Sequence, residues 1–66
     1  MNIELHKLLF VLKDDIEIVV VVNGSQVFGG KNDYKGKAEL REYKDIGIDY
    51  MEIGNGGVVY LECNIV

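Results

Sequence analysis

One stretch dominates the apolar pattern of the chain: Ile16-Glu17-Ile18-Val19-Val20-Val21-Val22, closed by Asn23-Gly24. Six of its seven residues are apolar and β-branched, which makes them stiff at χ1 and suits them to a pleated sheet. The stretch alternates with a polar residue only at its start and then turns apolar on both faces. That pattern predicts a central strand covered on both sides. The run is too short to cross a membrane and too β-branched for a good helix.

The segments on either side are read from their own periods. Leu5, Leu8, Leu9 and Leu12 recur on one helical face, predicting a helix over residues 2–13. Asn2 is placed to cap it, Glu4 lies in its first turn and Lys13 in its last. Phe10-Val11-Leu12 offers a strand as the rival reading. Asn23-Gly24 between β runs is a hairpin signal, since both central residues of a type I′ turn need positive φ. The returning strand, Gln26-Val27-Phe28, runs into Gly29-Gly30, which suggests a bulge or a sharp exit from the sheet. Lys37 to Lys44 fits about two helical turns with Leu40 and Tyr43 facing inward, bracketed by Gly36 and Gly47, and fits a long loop equally well. A second hairpin pairs Ile48–Ile53 with Val58–Val66 through Gly54-Asn55-Gly56-Gly57, again read as a I′-like turn. In its last strand Val59, Leu61, Cys63 and Ile65 share one face.

These elements predict a single α+β domain over residues 1–66: an N-terminal helix packed on a mainly antiparallel four-stranded sheet built from two hairpins. One helix covers only one face of such a sheet. The other presents Val19 and Val21, so the sheet either curls into a small β-barrel or meets a second copy of the chain. The expectation is a homo-oligomer. Ile3 and Phe10, flanked by Lys7, make a second outward spot on the helix. It is either two singly exposed hydrophobes or a contact patch for another chain.

Composition sharpens this picture at three points. Sixty-six residues lie near the lower limit for a core that folds without staples. One cysteine and one histidine supply neither an intrachain disulfide nor a structural zinc site. The lone thiol and the leaderless start Met1-Asn2-Ile3-Glu4 point to a cytoplasmic protein. The net charge of −4 opposes direct binding to a nucleic-acid duplex or an anionic membrane. Charge is also uneven: Lys31 to Lys44 holds five cations and three carboxylates, a locally basic segment on an acidic body.

Candidate chemistry is sparse. Gly29-Gly30-Lys31-Asn32 fails as a phosphate loop, with Ser25 where glycine is needed and Asn32 where serine or threonine is needed. Gly54-Asn55-Gly56-Gly57 is a turn rather than a dinucleotide fingerprint. Asp14, Asp15 and Glu17 are a solvated corner without the spaced ligands of a calcium loop. Ser25, His6 and Cys63 fall on a hairpin turn, a helix flank and an apolar strand face, so no nucleophile and base are expected to meet. The reading is therefore no enzyme, no metal and no cofactor. The best lead is the basic segment, where Tyr34, Lys35, Lys37, Arg41, Tyr43 and Lys44 mix cations with aromatics that hold phosphates and stack bases. Its plainer reading is a solvated surface balanced by Glu39 and Glu42.

The leading helix of Asn2 to Lys13, followed by Asp14-Asp15-Ile16 opening a strand that ends at Asn23-Gly24, resembles the short acidic accessory proteins of bacteriophages. The resemblance spans most of the chain, and no functional residue is carried over from it. Some of those proteins are stoichiometric inhibitors of host defence, the type II anti-CRISPR proteins among them. The first expectation is accordingly a non-enzymatic interaction protein that binds and occupies a protein partner. Glu4, Asp14, Asp15, Glu17, Asp49, Glu52 and Glu62 would present carboxylates where a nucleic acid's phosphates would lie. The rival is an oligomeric binder that holds a small nucleotide-like anion between subunits through Lys35, Lys37 and Arg41.

Overall fold

A computed structural model of the chain describes residues 3–65. The elements run α1 (Leu5–Val11), β1 (Glu17–Val22), β2 (Ser25–Lys31), α2 (Tyr34–Glu39), β3 (Ile48–Ile53) and β4 (Val59–Cys63), with short 3-10 turns at Arg41–Tyr43 and Asn55–Gly57. The four strands form one sheet in the order β2-β1-β4-β3. Both hairpins are antiparallel, and they meet along a parallel seam between β1 and β4. The sheet is an open layer and does not close into a barrel.

The β-branched stretch lies inside the sheet, as its composition requires. Ile18, Val20 and Val22 join Val59, Leu61 and Cys63 of β4, Ile48, Leu40, and Leu5, Leu8 and Leu9 of α1 in one buried cluster. Leu12 packs half-buried against it just past the helix end. The opposite face of β1 has no helix over it. There Val19 is half-buried and Val21 is 8% exposed.

The first helix is shorter than its leucine stripe predicts, and Asn2, its expected cap, lies outside the described residues. Ile3 and Glu4 are not helical. Glu4 bridges Gly47, and the Ile3 carbonyl accepts from Ile48 N at 2.9 Å. Ile3 therefore packs against the core instead of joining Phe10 on an outer helix face. The backbone of the 44–46 segment takes over the capping: Leu5 N donates to Ile46 O at 2.9 Å and His6 N to Lys44 O at 3.0 Å. Two of the orphan donors of a helix start are thereby satisfied. At the other end Asn32, fully buried, turns its side-chain amide onto the end of α1 and the turn after it, 2.9 Å from Leu9 O and 3.4 Å from Lys13 O.

Three local readings shift by a few residues, each for a steric or hydrogen-bonding reason. The second strand continues through Gly29 and Gly30, and the bulge falls at Val27, between the pairs Val20↔Phe28 and Val21↔Gln26. The missing side chains make room on the two faces: Gln26 folds over Gly29 and Phe28 over Gly30. The helix of the basic segment begins at Tyr34, because the Asp33 carboxylate accepts from Gly36 N at 2.8 Å and caps it. Leu40 and Tyr43 face inward as expected, Leu40 2% exposed and Tyr43 half-buried. In the second hairpin positive φ falls on Gly56 and Gly57 (77° and 81°) rather than on Asn55-Gly56. The first hairpin has the expected I′ pair, Asn23 at φ 50° and Gly24 at 82°.

Gly36 sits inside α2 where the helix touches β2. A Cβ there would collide with the Lys31 carbonyl and lie 2.9 Å from Phe28 Cζ. Gly36→Ala should destabilise by about 1–3 kcal/mol, against the usual helix gain from alanine. Gly47→Ala, which meets nothing within 4 Å, is its control. Leu9→Ala should cost about 2–5 kcal/mol in urea unfolding; an unshifted midpoint would mean that the stripe contributes no core.

Candidate functional site

The helical side of the molecule gathers most of the residues singled out in the basic segment. The end of α1 supplies Phe10, the α1–β1 turn supplies Asp14 and Asp15, and α2 with its flanks supplies Asp33, Tyr34, Lys37, Ala38 and Arg41. Together they line an open cleft of about 670 Å³. Lys35 is exposed on α2 but lies outside this lining, and Tyr43 packs against the core. Of the five candidate ligand residues, Tyr34, Lys37 and Arg41 converge.

The electrostatics of the cleft differ from a phosphate site. Three carboxylates line it beside two cations. The Lys37 ammonium sits 3.9 Å from Asp14 Oδ1 and 5.0 Å from the centre of the Phe10 ring, so it is engaged on both sides. Arg41 forms no salt bridge among the described residues. The aromatic side chains are held outward, Phe10 at 75% and Tyr34 at 89% exposure, with Val11 at 74% alongside. An apolar slot of about 150 Å³ opens beside Phe10, floored by Leu5, Leu9 and Leu40 and rimmed by Lys37 and Arg41. Exposed aromatics and an arginine around a small apolar slot have the composition of an interface hot spot.

The nucleophile candidates have structural duties elsewhere. His6 Nδ1 donates to the Lys44 carbonyl at 2.8 Å, clipping the 44–46 segment to α1. Ser25 is exposed at the hairpin, and Cys63 is fully buried in the core. Among the described residues no group of three histidine, cysteine, aspartate or glutamate side chains is placed to hold a metal ion. No helix among them is long and apolar enough to cross a membrane.

A second surface is the bare sheet face that the sequence marks with Val19 and Val21, here joined by residues of β3 and β4. Strand register places Glu17, Val19 and Val21 of β1, Tyr60 and Glu62 of β4, and Tyr50 and Glu52 of β3 on the sheet face that no helix covers. Tyr50 and Tyr60 meet edge to face, ring centroids 6.5 Å apart. Glu52 chiefly, with Glu62 and Tyr60, holds the Tyr50 phenol above its ordinary pKa, because a phenolate there would face carboxylates. The signal available beforehand was the shared two-residue spacing of Tyr50/Glu52 and Tyr60/Glu62. Pairing them needed the register.

Comparison with protein-family models, with curated proteins and with solved structures finds no match. Cys63 gives a measurable check on the core. Burial first, then Asp49 and Glu62, push its thiol above the ordinary range. Native protein should resist alkylation at neutral pH and label fully in urea. Because the folded thiol holds its proton more tightly, this group's contribution is present below the ordinary thiol pKa and is lost as pH rises through the raised one. Rapid labelling of the folded chain would contradict the buried placement.

Proposed function

We propose that the chain is a non-enzymatic interaction protein that binds and occupies a protein partner, in the manner of phage-encoded inhibitors of host defence. The observation that carries this reading is the pair of large aromatic side chains, Phe10 and Tyr34, held in solvent beside Arg41. Neither is needed for the core, since both lie outside the buried cluster. The backbone beneath them is fixed by the α1–Asn32 and α2–Asp33 hydrogen bonds, so little ordering cost accompanies docking. A partner's apolar side chain fits the slot beside Phe10, and its carboxylate suits Arg41.

The rival reading, a small nucleotide-like anion held between subunits, rests on Arg41. Lys37 is engaged by Asp14 and Phe10, and Asp14, Asp15 and Asp33 repel phosphate across the cleft.

The test is affinity capture from bacterial host lysates with immobilised wild type and with the Phe10→Ala/Tyr34→Ala variant. Both substitutions are at exposed sites, so melting should be unchanged. One stoichiometric partner should bind the wild type and be lost, by about tenfold or more in affinity, from the variant. A partner held equally by both proteins would reject this surface. Saturable binding of a nucleoside triphosphate that Arg41→Ala abolishes would favour the rival.

A further inference from the structure

The open face of the sheet lies across the strands from α1 and α2, and the cleft on the helical side uses none of it. Its centre is the Tyr50–Tyr60 pair with Val19 and Val21 beneath. Around that centre stand Glu17, Glu52 and Glu62, none of them in a salt bridge among the described residues. One cation shares the face, Lys31, paired in register with Glu17 at the β2 edge. The chemistry is thus two aromatic rings beside Glu52 and Glu62, neither of which has a salt-bridge partner among the described residues.

Three occupants suit an exposed tyrosine-bearing sheet, and charge decides among them. Single-stranded nucleic acid stacks on such rings, but its phosphates would face Glu52 and Glu62. A second copy using the same face would set these carboxylates against themselves, because a twofold interface pairs a patch with its own image. A cationic group is attracted by the carboxylates and by the ring faces alike. Guanidinium meets both features at once, being planar enough to stack on tyrosine and forked to engage a carboxylate through two N–H donors. Ammonium is a compact, strongly hydrated point charge that gains only the Coulombic part.

We infer that this face is a binding site for arginine side chains of a basic protein segment, recognised by Tyr50 and Tyr60 and by the carboxylates of Glu52 and Glu62. The site is separate from the one built around Phe10 and Tyr34, and it stands or falls independently. With both occupied, the chain would bridge two partner surfaces or grip one partner at two points.

The experiment is an amide-resolved NMR titration of the full chain with three probes: a hexa-arginine peptide, a hexa-lysine peptide and a single-stranded RNA hexamer. The arginine peptide should shift the amides of Val21, Tyr60 and Glu62 and bind about tenfold or more tighter than the lysine peptide. The isosteric Glu52→Gln/Glu62→Gln variant should lose about tenfold or more. Tyr50→Leu, at a half-exposed position, should reduce the preference for arginine over lysine while the spectrum stays that of the folded protein. Phe10→Ala/Tyr34→Ala should bind the arginine peptide as the wild type does, which separates this site from the helical one. Equal binding of the two peptides would reduce the face to simple charge attraction and overturn the inference. So would shifts confined to α1 and α2, a preference for RNA, or concentration-dependent sedimentation with self-contact mapped to this face.

Discussion

The structure depends on holding a seven-residue helix in place. A helix of that length is not stable on its own in water, and α1 has no side-chain cap at its start. It is fixed instead at its two ends by two separate segments of chain. The backbone at 44–46 receives its first donors, and the buried Asn32 amide binds its last carbonyls. Asn32 also pairs through its backbone with Ile16 O at 2.8 Å and Asp15 N at 3.0 Å, so a single residue joins helix, turn and sheet edge. With α1 held, its three buried leucines close the core. Without it, Leu40, Tyr43 and Ile46 would be left to cover that face of the sheet.

The same arrangement separates the surface into two chemistries. On the helical side, short elements joined by tight caps leave aromatic side chains outside, because α1 is too narrow to bury both Leu9 and Phe10. On the sheet side no helix arrives to cover β1, and its neighbours there are Gln26, Tyr60 and Glu62, paired with it in register. Val21 is buried without a helix above it. The locally basic segment seen in the composition is met on the helical side by Asp14 and Asp15 from the α1–β1 turn, while the open sheet face carries glutamates.

Much of the fold was legible because its strongest signals are local. The valine run, the leucine stripe and Asn23-Gly24 each state an element without help from distant residues. What was not legible depended on distance. Asn32 reads as a polar loop residue until the α1 carbonyls come to it. Gly36 reads as a helix boundary, whereas it lies inside α2 because Phe28 and the Lys31 carbonyl need the space of its missing side chain. Ile3 was assigned to the helix by spacing, but its carbonyl was already committed to Ile48. The candidate site divides in the same way. Tyr34, Lys37 and Arg41 are neighbours along one short segment and could be grouped in advance. The Tyr50–Tyr60 pair depends on strand register, which side-chain pattern alone does not fix when both faces carry polar residues.

The parallel seam between β1 and β4 has a kinetic meaning. Each hairpin is closed by a turn of a few residues, so its pairing is quick and cheap in loop entropy. The seam joins Ile18 to Val59 and Val22 to Cys63 across the intervening chain, and neither hairpin forms it alone. The molecule is thus two local units zipped along one long-range edge, a pairing whose loop-closure entropy makes it slower to form than a hairpin. Until it closes, β1 and β4 each show a pairing edge that any extended chain can use. A net charge of −4 sets such half-folded copies in mutual repulsion, which opposes pairing between them.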